Sequence, residues 1–531
     1  METYNQEIKD YSREIIWKHS IENLTINRDE SKILNSKYIN RLWDFAFEDS
    51  LIKYGIVDKA DEKYLKDWNS FSEQTYSTKK PDELKVAYLC GPEPQNDLNH
   101  LIDLGIRIEN VYAFESEKTL YNQALNSLKD TYPTLKIFNG KIDHYLKSTL
   151  VKFDIVYLDF TSSLFSRDAK PYQTIITLFE NQSLSNLSSL IVNTCYPDKN
   201  EENINFLTSY FHYQAFYEYQ IYDSKEENDN DDDDDNSGRY IENNSTYGIY
   251  KKSQFSPHID ENFDHAYSAF QTSFIINYTN HILPITNVIK NPLLFKRLFT
   301  SNLDNINEEI AKFAEQSRYS DPTNYSLHNF FQDLINGESK LEQSWKSFIT
   351  KKDYSNYSIE MAVKFFYMQL DASSEGFLKI LSDSLKKSIQ EIMKNIPDAI
   401  DGSQKGLFCD IPMIHLWQEL AINQLGYPYH HNTKCHKRFS YKAKERKMCV
   451  DIFTFDQCRS LYDWLPMIEY YGLDLKIIER QILTRICIDA IAKHSLHILQ
   501  KQYYGAHLIG IYERTWSENH HFKSREDLNK Q

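Results

Sequence analysis

The sequence predicts an α/β fold, a doubly wound parallel sheet with a helical amino-terminal segment before it and a mainly helical region after it. Three observations carry that prediction. Between residues 84 and 195, five short apolar runs alternate with four stretches of helical spacing, the rhythm of strands joined by helical crossovers. Glycine and proline number only 14 each in 531 residues, too few for a turn-dense all-β protein. Aromatic residues make up 14% of the chain, enough to fill packed interiors although only 41% of residues are hydrophobic.

Residues 1–80 carry apolar positions three or four apart, as in Ile15, Ile16, Tyr38–Phe47 and Leu51–Ile56, which reads as helix. Lys79-Lys80-Pro81 ends that rhythm. The expected strands are Val86–Cys90, Val111–Phe114, Leu135–Phe138, Phe153–Leu158 and Leu190–Thr194, and the helices between them Asp97–Leu104, Lys118–Leu128, Ile142–Leu150 and Tyr172–Phe179. The aromatic segment Tyr210–Tyr222 either closes the sheet or opens a helix. An acidic run follows at Asp223–Asn236, nine acids against one lysine, which reads as a solvated, self-repelling loop. Beyond residue 257 helical spacing returns at Ile359–Leu370, Phe377–Met393, Met413–Leu425 and Leu475–Gln502. A strand pair, Lys437–Tyr441 and Met448–Phe455, interrupts it. Three units result: residues 1–80, 81–256 and 257–531, the last including a basic hairpin at 434–455.

The formal net charge is −16, so a surface that binds polyanions throughout is not expected. Seven cysteines in so large a chain do not form a small disulfide scaffold, and a cytoplasmic setting is expected. No stretch approaches the roughly 20 apolar residues of a membrane span.

In a doubly wound sheet, ligands bind outside the carboxyl ends of the strands, and polar residues gather at those points here. Cys90-Gly91-Pro92-Glu93-Pro94-Gln95-Asn96-Asp97 follows the first strand. Gly91 permits a sharp turn close to a ligand, and Asn96 or Asp97 is placed to cap the next helix. Glu115 ends the second strand, where a carboxylate accepts both hydroxyls of a ribose. After the third strand Ile142 offers an apolar surface for adenine and Asp143 an acceptor for its amine. After the fourth come Asp159-Phe160-Thr161-Ser162.

These residues give the segment 84–196 a resemblance to class I S-adenosylmethionine-dependent methyltransferases, which have a Rossmann-like fold. The nearest resemblance is to a poorly characterised bacterial branch with G-P-E-x-x-N-D in the first loop. The resemblance implies S-adenosylmethionine as cofactor. Gly91, Glu93, Asn96 and Asp97 would hold its methionine part, Glu115 its ribose, and Ile142 and Asp143 its adenine. Asp159 and Thr161 would face the methyl acceptor. The usual G-x-G-x-G is missing, and Asp159-Phe160-Thr161-Ser162 stands where base-directed members have Asn or Asp before Pro-Pro and an aromatic. Asp159 reads either as a group that takes a proton from an acceptor hydroxyl or holds an amine, or as a strand-end acid bonded to backbone N–H groups. A nucleotide-binding module without catalysis, inside a protein that binds nucleic acid or another protein, is the alternative function, with bacterial defence as one setting.

The hairpin carries seven basic residues and one acid between Lys434 and Lys447. Lys437, Arg438, Lys442 and Lys444 would neutralise phosphates and Tyr441 would stack on a base; a solvated turn is the competing reading. His430, His431, Cys435, His436, Cys449 and Cys458 lack the paired spacing of a structural zinc site, and no metal is expected.

Overall fold

The computed structural model describes residues 7–33, 38–44, 61–211, 252–299, 326–352, 357–370, 429–457 and 525–530, with isolated positions at 308, 381–383 and 387. The acidic run and the expected helices at 413–425 and 475–502 lie outside them. So does most of 377–393, where Leu381 instead forms an isolated antiparallel bridge with Phe299.

Helices α1 (Glu7–Leu24), α2 (Arg28–Ser31), α3 (Tyr38–Trp43) and α4 (Glu62–Thr75) precede the sheet. Then β1 (Val86–Leu89), α5 (Gln95–Asp103), β2 (Val111–Glu115), α6 (Lys118–Leu128), β3 (Lys136–Asn139), α7 (Ile142–Ser148), β4 (Phe153–Asp159), α8 (Pro171–Glu180) and β5 (Leu184–Cys195) alternate as expected. β1 to β5 pair in parallel in the order β3-β2-β1-β4-β5. The chain moves outward from β1 to β3 and then returns to β4, so the crossover direction reverses between β1 and β4, the switch point of an α/β fold.

α9 (Glu201–Phe211), α10 (Lys252–Glu261), α11 (Phe263–Asn277), α12 (Leu283–Lys290) and α13 (Pro292–Leu298) follow, and then the helices Ser326–Asn336, Lys340–Ile349 and Ile359–Leu370. The chain then returns to the sheet with β6 (His430–His431), β7 (Lys437–Ala443) and β8 (Arg446–Asp456), and again with β9 (Glu526–Asp527). β8 runs antiparallel beside β5, from Leu187 opposite Asp456 to Cys195 opposite Met448. Among the described residues the sheet has nine strands in the order β3-β2-β1-β4-β5-β8-β7-β9, with β6 on β8.

The hairpin is therefore part of the α/β sheet, whereas the sequence grouped it with the helical region. Physically, β5 would otherwise present an open edge of unpaired backbone groups, and a hairpin from more than 240 residues downstream covers it. Both faces of β8 are buried from Met448 to Asp456. Met448, Val450 and Ile452 join the cluster that holds Ile16, Trp17 and Ile21 of α1, while Asp451 on the opposite face meets Gln271 and Thr272 of α11.

α1 is no separate segment either. Trp17 is fully buried and stands edge-on to Tyr88 and Tyr157 on neighbouring strands, with ring centroids 6.3 and 5.4 Å away. Such edge contacts favour aromatic pairs beyond their buried area, by about 0.5–1.5 kcal/mol each.

Candidate functional site

The carboxyl ends of β1 to β5 share one rim, and the sequence-selected residues divide on it into open and engaged groups. Gly91 has φ +60°, and a Cβ there would meet nothing within 4 Å. The first loop thus takes a left-handed turn that favours glycine and leaves space in front of it. Next to it, the Cys90 amide donates to the Phe114 carbonyl, which brings Glu115 alongside. Glu115 is half-exposed, and its Oε1 accepts the Glu117 amide at 2.8 Å. Its other oxygen accepts no hydrogen bond from the described residues.

At the end of β3, Gly140 donates its amide to the Glu115 carbonyl and leads into α7. Ile142 is buried there, so it packs into the helix base and offers little open face to a ring. Asp143 Oδ1 is buried with no hydrogen-bond partner among the described residues. A carboxylate oxygen in that state calls for a donor.

The first loop is spent differently from expectation. Glu93 Oε2 accepts from Asn96 Nδ2 at 3.1 Å, which braces the loop internally. Asp97 is only 4% exposed; Trp17 Nε1 donates to its Oδ1 at 3.0 Å, and Arg13 Nε lies 3.5 Å from its Oδ2. Both oxygens face α1, so Asp97 anchors that helix instead of reaching an open site. Burial raises its pKa, and Arg13 and Trp17 work against that rise.

Asp159 ends β4. Its Oδ1 accepts from Asn193 Nδ2 at 2.8 Å, and its Oδ2 lies 3.1 Å from Lys9 Nζ of α1. Asn193 also donates to the Tyr441 hydroxyl at 2.9 Å, while its own Oδ1 is buried without a hydrogen-bond partner among the described residues. Thr161 is exposed, and its carbonyl accepts Arg446 Nη1 at 2.8 Å and the Cys195 thiol at 3.2 Å. Burial pushes up the pKa values of Cys90, Cys195 and Tyr441, so none of the three is a ready anion.

The hairpin meets this rim. Cys195 pairs with Met448 at the start of β8, so the turn at Lys444-Glu445 stands beside Thr161. Of the five residues selected for nucleic-acid contact, Lys442 and Lys444 are exposed and Lys437 is half-buried, but Arg438 and Tyr441 are buried. The alternation of β7 turns Phe439 and Tyr441 into the core that includes Trp17, so neither ring is left for stacking.

The sequence reading did not select Lys9, Arg13, Trp17, Asn193 or Arg446. Lys9, Arg13 and Trp17 do recur at four-residue intervals, the signature of one helix face, yet two cations on a face read as solvated.

The histidines lie elsewhere. His431 Nε2 meets His436 Nδ1 at 3.0 Å, and His436 Nε2 meets Asp451 Oδ1 at 3.0 Å. Arg525 donates to both oxygens of Asp451 at 2.9 and 3.1 Å. Burial opposes ionisation of Asp451, but Arg525, then His436 and Arg438, outweigh it and hold the carboxyl well below the usual range. Among the described residues no three His, Cys, Asp or Glu side chains gather as metal ligands, and no helix is long and apolar enough to cross a membrane.

No family model matches the chain, and no curated protein does. Among solved structures it is similar to a crystal structure of a S-adenosylmethionine-dependent methyltransferase from Clostridium acetobutylicum ATCC 824, with 14% identity and a TM-score of 0.17. The similarity covers 29% of this chain and 56% of that one, so the chain spans little more than half of its neighbour. A likeness of this size says nothing of activity. The chain is α/β by its own strand order.

Proposed function

We propose that the chain is an S-adenosylmethionine-dependent methyltransferase, with the cofactor across the carboxyl ends of β1 to β3. One observation carries the reading: a Glu115 oxygen at the end of β2 and a buried Asp143 oxygen in the first turn of α7, which follows the neighbouring β3, both lack a hydrogen-bond donor among the described residues, and the turn at Gly91 after β1 is open. A ribose diol and an adenine amine are the donors that such a pair of carboxylates suits. The fit is good at the nucleoside end. It is poorer at the methionine end, where Glu93, Asn96 and Asp97 already bond within the protein.

When bound, the cofactor supplies an electrophilic methyl group. The protein's part is positioning. Glu115 and Asp143 hold the nucleoside, and Asp159, fixed by Asn193, holds the acceptor or receives its proton. For the hairpin we propose a smaller nucleic-acid role than its sequence promised, with phosphates reached by Lys442 and Lys444.

Calorimetric titration with S-adenosylhomocysteine tests the reading. Glu115→Ala should weaken binding by roughly tenfold or more, the loss expected for charge-assisted hydrogen bonds, without lowering the melting temperature. An unchanged affinity in the folded variant removes the assignment.

A further inference from the structure

The pairing of Lys9 with Asp159 points beyond cofactor binding to the chemistry of the second ligand. Asp159 stands at the end of β4, 17% exposed at its side chain, and Lys9 reaches it from the first turn of α1 with its own side chain 19% exposed. The carboxylate is held from the other side by Asn193 Nδ2. That contact fixes the amide, since an ionised carboxylate only accepts hydrogen bonds. Asn193 Oδ1 must then point its lone pairs elsewhere, and it is buried without a hydrogen-bond partner among the described residues, on a side chain that is 0% exposed. A buried amide oxygen left unfilled costs about 1–3 kcal/mol, so its retention needs a reason.

We propose that Asp159 and Asn193 form a subsite for a primary alkylammonium, such as that of a lysine side chain, and that Lys9 is its built-in occupant. An ammonium group carries three donors, enough to serve an Asp159 oxygen and Asn193 Oδ1 together. Lys9, tethered to α1, satisfies the first and leaves the second open. A ligand arriving from the rim replaces the Lys9 ammonium while Lys9 swings toward solvent. α1 itself stays in place, because Trp17 and Arg13 hold it through Asp97. The subsite rests on the protein's own geometry. Its meaning as the acceptor position rests on the methyltransferase reading.

The test is rescue of a truncated side chain. In full-length Lys9→Ala, or Lys9→Ser should that variant not fold, n-butylammonium chloride is compared with n-butanol at matched ionic strength. The ammonium should raise the melting temperature by roughly 1–3 °C more than the alcohol, as a ligand of the native state does, and should do so much less in the wild type. Adding Asp159→Asn should erase the difference. Equal shifts from amine and alcohol, or a shift that survives Asp159→Asn, overturn the proposal. Titration of the same proteins with S-adenosylhomocysteine reports separately on the cofactor. Rescue without cofactor binding keeps the ammonium subsite and removes its acceptor role.

Discussion

Asp451 shows how differently a single residue reads in sequence and in structure. In sequence it is one acid in an alternating strand; in the structure it is wholly buried and bonded to Arg525, His436, Gln271 and Thr272. His436, 2% exposed at its side chain, is lowered to about 4, chiefly by burial, with Asp451 opposing. His430 is lowered to about 3 by burial. The sign follows directly. Above pH 6.5 these imidazoles are neutral in both states, and their full contribution is present. As the pH falls from 6.5 toward 4 the unfolded chain takes up protons that the folded chain refuses, and stability is lost. For His436 alone the loss is about 3 kcal/mol across that window. Melting curves at pH 7.5, 6 and 5 should show a steady fall, and His436→Gln should make it shallower. A flat profile would refute the assignment. The places of Glu115 and Asp159 at the ends of β2 and β4 were legible, because strand-end acids stand out after apolar runs. Asn193 was not, because a buried Asn inside Leu-Ile-Val-Asn-Thr carries no local signal.

At the scale of elements, the βα alternation was readable because strands buried on both faces appear as short, continuous apolar runs. α6 begins and ends where its spacing says, at Lys118 and Leu128. β5 is longer than its apolar run, starting at Leu184, since the stretch from Leu187 onward lies against β8. α1 lacks a clean stripe because its buried side includes Ser12, Arg13, Ser20 and Asn23 as well as Ile16 and Trp17. Removing that tryptophan should be severe. Trp17→Ala should cost about 3–5 kcal/mol and leave Asp97 without one of its donors, seen as a large drop in denaturation midpoint. Among the cations selected in the hairpin, Lys442 and Lys444 are the exposed ones. Replacing both by Ala should reduce the salt slope of any duplex DNA binding by at most about 1.8, from about 0.9 per phosphate contact. A larger change would restore the wider nucleic-acid surface.

Over the whole molecule, the sheet is assembled from distant stretches of chain, and this the sequence could not show. Periodicity reports what a strand is, whereas which edge it joins depends on pairing over hundreds of residues. Residues 525–530 complete the assembly. Arg525 donates to the Phe439 and Val450 carbonyls and to Asp451, tying the end of the chain to the hairpin. Arg525→Met should destabilise the protein by about 3–5 kcal/mol, because it strands a buried carboxylate; denaturant melts of Arg525→Met and Asp451→Asn/Arg525→Met should show the second less affected. The central claim is that the rim at the carboxyl ends of β1 to β3 is a nucleoside site. Hydrogen exchange with and without S-adenosylhomocysteine tests it most directly. The account predicts added protection at residues 90–97, 115–118 and 139–144. Binding that protects other segments and leaves these three unchanged would contradict it.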